Sequence, residues 1–344
     1  MTRQKLWTLQ ARYAPYLFIS PFVVLFSLFM AYPLVRSIVL SLYKAASPRT
    51  MKFVGLDNYR FLLHDWAFRG AVLNTFYFAI AFIVLQIPLS LGLAVALNSK
   101  RLRGKDFLRF AFFSSHLVGN VFVAVIFNMM LMPRHGLINK AIGAVFPFIG
   151  TETQWTAKPL LAMPALVMAS LWLSVGYGMI YFLAALQGVD RELYEAAEMD
   201  GAARWDRFRH ITLPAIRPVL RFLVLVGLIG AFQLFELPFV LFGQTAGPAG
   251  YGSTIVMYLY FMGFDAGDAG FASAVGWVLV LIILLISLLQ LPALFPSAWY
   301  SGVRVRGLFA RRKTIDLETR LKNQMPPHPS PPPGVPWGGA KKNR

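Results

Sequence analysis

Residues able to do chemistry are few along this chain, and they are scattered. The five histidines, His64, His116, His135, His210 and His328, form no pair at helical spacing and no HExxH, so metal catalysis has no ligand set to build on. There is no GxxxxGK[ST] for a P-loop, and Gly104-Lys105-Asp106 is only a fragment with a basic flank. The absence of cysteine excludes disulfides and Cys-ligated zinc or iron–sulfur sites. What remains is a set of polar residues inside apolar runs. Ser170, Ser174 and Tyr177 are spaced to share one helix face, with Trp172 nearby, and Gln233 and Glu236 share a face by the same spacing. Hydroxyl, amide and aromatic groups suit a sugar or polyol, whose ring has apolar faces and a rim of hydroxyls. The same residues also suit hydrogen-bonding glue between helices, and the sequence leaves both readings open. Glu236 is costly to bury, so it is expected to face a bundle interior or a cavity and to find a partner there.

The densest charged segment is residues 190–218, DRELYEAAEMDGAARWDRFRHITLPAIRP. Asp190 is placed to N-cap a short helix reaching Asp200, with Glu192, Glu195 and Glu198 in and after its first turns. Gly201 then supplies the stop. Leu193, Tyr194, Ala196, Ala197 and Met199 leave small and apolar surface among the acids. That surface fits a groove on a soluble partner, or it lies flat on a membrane. The basic stretch from Arg204 to His210 follows, and Leu213-Pro214 with Pro218 set the entry into the next apolar run.

The elements that hold these residues are membrane helices. Of 344 residues 57% are hydrophobic and 14% charged, and the mean hydropathy is +0.57, far more apolar surface than a soluble core uses. Runs of spanning length lie at 16–42, 72–97, 107–132, 159–184, 219–242 and 271–295. The first is too long for a signal-peptide core and lacks a small-residue cleavage site, so it is read as a retained span. The apolar stretch 253–264 is too short to cross and is expected to re-enter or to lie at the interface. Tyr13, Tyr16, Tyr32, Tyr43, Trp155, Trp299 and Tyr300 fall where interfacial anchors belong.

A net charge of +18 is compatible with nucleic-acid binding, but the distribution of the charge argues against it. With the N-terminus inside, Lys and Arg outnumber those in the outer loops three to one; the inner segments hold six arginines from Arg191 to Arg221 and ten basic residues from Arg304 onward. The sequence therefore predicts an all-α, polytopic protein of six transmembrane helices with both termini and the 190–218 loop in the cytoplasm. Its parts are an N-terminal segment (1–15), a membrane domain (16–300) and a basic, Pro-rich, disordered tail (301–344) beside anionic lipid.

Glu195-Ala196-Ala197, three residues, Gly201, nine residues, Ile211, one residue and Leu213-Pro214 resemble the EAA loop of permease subunits in binding-protein-dependent ABC importers. LYEAAEMDGA and FRHITLPAIRP resemble the carbohydrate branch, the maltose and glycerol-phosphate permeases. So do Gly55-Leu56-Asp57-Asn58-Tyr59, Asn74-Thr75, Gly230-Ala231-Phe232, Gly247-Pro248 and Ser253-Thr254. Thr245-Ala246-Gly247-Pro248 departs from the branch's Thr-x-Gly-Gly-Pro, and the Pro-rich tail has no counterpart.

The resemblance implies that Glu195, Ala196, Ala197 and Gly201 dock into an ATPase subunit, with Asp200 in support and Leu213-Pro214 completing the motif. It places sugar contacts near Ser170, Ser174, Tyr177, Phe232 and Gln233, beside Glu236. It also implies a plasma-membrane (inner-membrane) complex with a second, different permease chain, two ABC ATPases that hold ATP and Mg, and an external solute-binding protein. This chain itself would bind no cofactor or metal, have no catalytic residue and act on no nucleic acid. A secondary carrier or channel, the main alternative, predicts inverted repeats and paired intramembrane charges. A membrane enzyme predicts a catalytic constellation. The sequence displays neither.

Overall fold

An apolar run in lipid can satisfy its own backbone polar groups only by closing into a helix, and this chain does so repeatedly. The structure is a computed structural model that describes residues 3–45, 51–99, 102–145 and 152–294. The expectations at Lys100, Arg101, Trp299, Tyr300 and the 301–344 tail lie outside those residues. Five helices are long and apolar enough to cross a bilayer: Tyr13–Leu40, Trp66–Leu97, Pro159–Gln187, Arg204–Phe232 and Ala269–Gln290. A bent pair, Lys105–Leu117 and Asn120–Met130, supplies the remaining crossing, with a 102° change of direction between its halves. The second span, at 32 residues, is about 48 Å long and exceeds a hydrocarbon core of about 30 Å unless it tilts or projects.

The second and fourth spans form the centre. Phe78, Leu166 and Phe232 are buried toward one end, and Ala94, Met179, Phe182 and Ile216 toward the other. The first span buries none of its most apolar window, and Phe18 and Phe22 are 82% and 69% exposed, as a lipid-facing helix requires.

Two spans differ from the sequence expectation. The third, expected to run through 107–132, breaks at Val118 and Gly119, both extended, so that Gly119 caps a new helix at Asn120. The polar residues Ser114, Ser115, His116, Gly119 and Asn120 mark that break. The fifth, expected to reach 242, ends at Phe232, and a separate short helix, Glu236–Leu241, follows. Pro238 explains the second break. In a continuous helix its missing N–H would orphan the carbonyl of Leu234 and its ring would clash there. The chain instead turns at 233–235, and Leu234 O accepts a hydrogen bond from Thr254 Oγ1 at 2.8 Å. Gln233 and Glu236 therefore do not share a face of one helix. Nor do Leu213 and Pro214 start the fifth span: the helix runs from Arg204 and passes Pro214 after a π-turn at Phe208–Thr212.

The segment after this break is stitched to the second span. Asn74 Nδ2 donates to Gly250 O and Ser253 O at 2.9 and 3.1 Å, and Thr75 Oγ1 accepts from Ile255 N at 3.0 Å. The stretch expected to re-enter or to lie at the interface holds a helix, Ile255–Tyr260, with a π-turn to Asp265, too short to cross. Its Tyr258 bonds to Asp65, the residue that caps the second span. Burial, and then Asp65 itself, push the Tyr258 hydroxyl well above the ordinary tyrosine range. At the same end a small hairpin pairs Tyr43–Ala45 with Met51–Phe53 in antiparallel register, Lys44 opposite Lys52. Asn58 Nδ2 ties it down by donating to Ser41 O and Tyr43 O at 2.8 and 3.0 Å.

Trp155 is not a free interfacial anchor. Its Nε1 donates to Asn139 Oδ1 at 2.7 Å, while Asn139 Nδ2 bonds the carbonyls of Leu131, Met132 and Thr153.

Candidate functional site

Between the second, fourth and fifth spans and the break of the third lies a cavity of about 300 Å³. The periodicity of the fourth span places Ser170, Ser174 and Tyr177 on this cavity together, as their spacing requires. Ser170 Oγ donates to Leu166 O at 2.9 Å and Ser174 Oγ to Ser170 O at 2.8 Å. Tyr177 donates to the Tyr181 hydroxyl at 3.1 Å, and its ring lies against that of His116, centroids 4.6 Å apart. The opposite wall is apolar and low, made by Leu223, Gly227, Gly230 and Ala231 of the fifth span.

Three further polar residues reach the cavity: Gln86, His116 and Asn120. Gln86, an amide deep in the apolar second span, is 4% exposed and donates through Nε2 to Ser90 Oγ at 3.3 Å. Ser90 Oγ in turn donates to Val175 O across the helix pair at 3.0 Å. Gly178 allows this approach: a Cβ there would lie 2.6 Å from both Gln86 Nε2 and Ser90 Oγ. His116 and Asn120 come from the two halves of the broken third span.

The remaining nominated residues are divided. Phe232 is 1% exposed, packed edge-on against Phe76, and belongs to the core rather than the lining. Gln233 and Glu236 line a smaller adjoining pocket of about 270 Å³, which shares Asn120, Gly230 and Leu234 with the cavity. Glu236 Oε2 accepts from Asn120 Nδ2 at 3.1 Å, so the breaks of the third and fifth spans meet through these two side chains. Among the described residues no group of three or more His, Asp or Glu stands together as metal ligands.

The charged loop forms an exposed helix, Arg191–Met199. Asp190 occupies its N-cap position, but its side chain makes no capping bond, which corrects that expectation. Gly201, at φ +78°, ends it: Gly201 N donates to Glu198 O and Ala202 N to Ala197 O, at 3.1 and 2.9 Å, which is a Schellman closure. Glu195, Ala196 and Asp200 are exposed and Ala197 half-buried, while Leu213 packs against the core. Leu193 and Met199 stand 53% and 88% exposed on this helix.

Two contacts bind the helix to the start of the fifth span. Tyr194 Oη lies 2.8 Å from Thr212 Oγ1, and Arg207 Nη1 lies 3.1 Å from Glu198 Oε2. Sequence reasoning missed Tyr194, Thr212 and Arg207 as a unit, because residues 18 apart in the chain carry no shared pattern.

Membrane-length helices broken around a cavity with hydroxyl and amide groups on one wall, with an amphipathic helix exposed beside them, define a polytopic transport domain. Residues 86–293 match the family described as the inner membrane component of binding-protein-dependent transport systems. The chain belongs to that family. It is 34% identical to the arabinooligosaccharides transport system permease protein AraP of Bacillus subtilis (strain 168), over 81% of this chain and 87% of that one. It is 35% identical to the lactose transport system permease protein LacF of Rhizobium radiobacter, over 80% and 92%. Among solved structures, a bacterial ABC transporter that imports the acidic polysaccharide alginate has a chain that superimposes with a TM-score of 0.71. At 24% identity, covering 83% of this chain and 96% of that one, it establishes a shared fold.

Proposed function

We propose that this chain is one of two permease subunits of an ATP-driven importer for a sugar or related polyol, which an external solute-binding protein delivers. The observation that carries this reading is a continuous mechanical path. The exposed helix Arg191–Met199 is bonded through Tyr194 to Thr212 in the first turns of the fifth span, and that span lines the cavity at its other end with Gly230 and Ala231. Motion imposed on the exposed helix thus reaches the cavity wall.

In this reading Glu195, Ala196, Ala197, Asp200 and Gly201 form the face that docks into an ATPase subunit, and Leu213 and Pro214 carry its motion into the membrane. The two ATPases bind ATP and Mg; this chain holds no cofactor and does no chemistry on its cargo. The 190–218 loop and both termini face the cytoplasm, in keeping with the basic residues of those segments. ATP-driven closure of the ATPases shifts the helices between inward-open and outward-open states, each stabilised by its own partners. Ser170, Ser174 and Tyr177, with Gln233 and Glu236 at the adjoining pocket, form the passage. A carbohydrate cargo is supported by the hydroxyl and aromatic lining and by the named cargoes of the two relatives.

The test is purification of the intact complex from its native membrane, followed by ATPase assay across a panel of sugars. Two ATPase subunits should co-purify, and at least one sugar with its binding protein should stimulate hydrolysis. If none co-purifies, and uptake survives Glu195→Ala and Gly201→Val, the chain works without ATPases, as a secondary carrier or channel does.

A further inference from the structure

The hydroxyls of Ser170, Ser174 and Tyr177 on the cavity are committed in one direction. A hydroxyl that donates to a carbonyl has only lone pairs left to offer, which is the state of Ser170 and Ser174; Tyr177 likewise donates to Tyr181. His116 Nδ1 lies 3.2 Å from Leu173 O. A carbonyl only accepts, so Nδ1 donates the proton to it.

Gln86 follows the same logic. Ser90 gives its proton to Val175 O, so the atom of Gln86 that faces Ser90 has to be the nitrogen. Its Oε1 is left over, buried on a cavity-lining residue with no hydrogen-bond partner. A buried carbonyl in that condition is unfavourable until a donor reaches it.

Charge points the same way. Among the described residues no Lys or Arg lines the cavity or the adjoining pocket, and the acid there is Glu236. The free N–H groups at the start of the helix Asn120–Met130 would otherwise attract an anion. Glu236 already stands at that end, bonded to Asn120.

We propose, resting on the transport reading above, that this wall is built for an uncharged, hydroxyl-rich ligand that donates hydrogen bonds to Gln86 Oε1 and the neighbouring hydroxyls, and that Glu236 turns away anionic carbohydrates. A uronate or a sugar phosphate brings acceptors to the acceptors of Gln86 Oε1, Ser170, Ser174 and Tyr177 and meets no counter-charge. A neutral saccharide brings one proton per hydroxyl.

The absence of cysteine makes the test direct. In the complete complex in proteoliposomes, Ser174→Cys places one thiol of this chain in the cavity. Its rate is measured with a sulfonate-bearing, a trimethylammonium-bearing and a neutral methanethiosulfonate, each normalised to a free thiol in solution. A unit charge about 10 Å away in a wet cavity of effective dielectric about 40 changes local reagent concentration roughly fourfold. The cationic reagent should be accelerated and the anionic one slowed by about that factor, and Glu236→Gln should bring the two together. Lactose should slow the neutral reagent, glycerol 3-phosphate should not, and Gln86→Leu should abolish the protection by lactose.

Equal normalised rates for both charges, rates indifferent to Glu236→Gln, or protection by glycerol 3-phosphate equal to that by lactose would overturn the proposal. Inertness of the Ser174→Cys variant toward every reagent, repeated in His116→Cys, would overturn it as well, because no ligand could then reach the wall. Failure of the transport reading is seen separately, as the absence of ATPase subunits from the purified complex.

Discussion

Tyr194→Phe removes one hydroxyl from the junction between the exposed helix and the fifth span and leaves the ring in place. The partner, Thr212, is 6% exposed, and its remaining contact is Arg207 O at 3.5 Å, the outer edge of hydrogen-bond range. Leaving a buried hydroxyl so poorly satisfied costs about 1–2 kcal/mol. That is roughly a fivefold to thirtyfold loss in the population of the bonded arrangement. The Arg207–Glu198 pair does not replace it: Glu198 is 70% exposed, and solvent screens such a pair to about 1 kcal/mol or less. In proteoliposomes containing the whole complex, Tyr194→Phe should assemble and hydrolyse ATP but import at least about fivefold fewer substrate molecules per ATP, in line with that population loss. Thr212→Val should do the same, and the double variant should lose no more, a coupling energy of about 1–2 kcal/mol in the cycle. An unchanged import-to-ATP ratio, or additive losses, would refute the mechanical path.

Other substitutions test the scaffold. Gly178→Ala sets a methyl against Gln86 and Ser90 and should lower stability by about 1–3 kcal/mol, read as earlier thermal aggregation of the complex. Gly201→Ala forces a β-carbon into the left-handed region and should cost about 1 kcal/mol, with reduced co-purification of the ATPases as the readout. Asn139→Leu strands the carbonyls of Leu131 and Thr153 and the Trp155 indole, while Met132 O keeps Gly136 N, a loss of about 2–4 kcal/mol measured by the denaturation midpoint in detergent. Added to the Ser174→Cys variant, it should leave the reactivity of the cavity thiol unchanged if the cavity is independent of that cluster.

The number and order of the spans were legible because hydropathy over about 20 residues is a strong local signal. The breaks were less so. Pro238 was visible, but breaking the helix before it requires a remote donor for Leu234 O, and Thr254 supplies that only once the chain has folded back. The serine and tyrosine face of the fourth span was readable from helical period alone. Phe232 was not, because its place in the core depends on Phe76 of another helix. Glu236 was expected to find a partner; that the partner is Asn120 follows from the turn of the third span, which no periodicity encodes. Gln86 could have been found as an amide in the middle of an apolar run. The loop helix and its Gly201 closure followed from spacing, whereas its attachment through Tyr194 and Thr212 is a tertiary contact.

On the transport reading the exposed helix Arg191–Met199 meets a soluble ATPase and not the lipid surface. Met199→Cys introduces this chain's only thiol at the most exposed large hydrophobic residue among those described. In native membranes that thiol should cross-link to an ATPase subunit through a short bifunctional reagent and be protected from lipid-partitioned maleimide. Labelling from the lipid phase with no cross-linked ATPase would contradict the account.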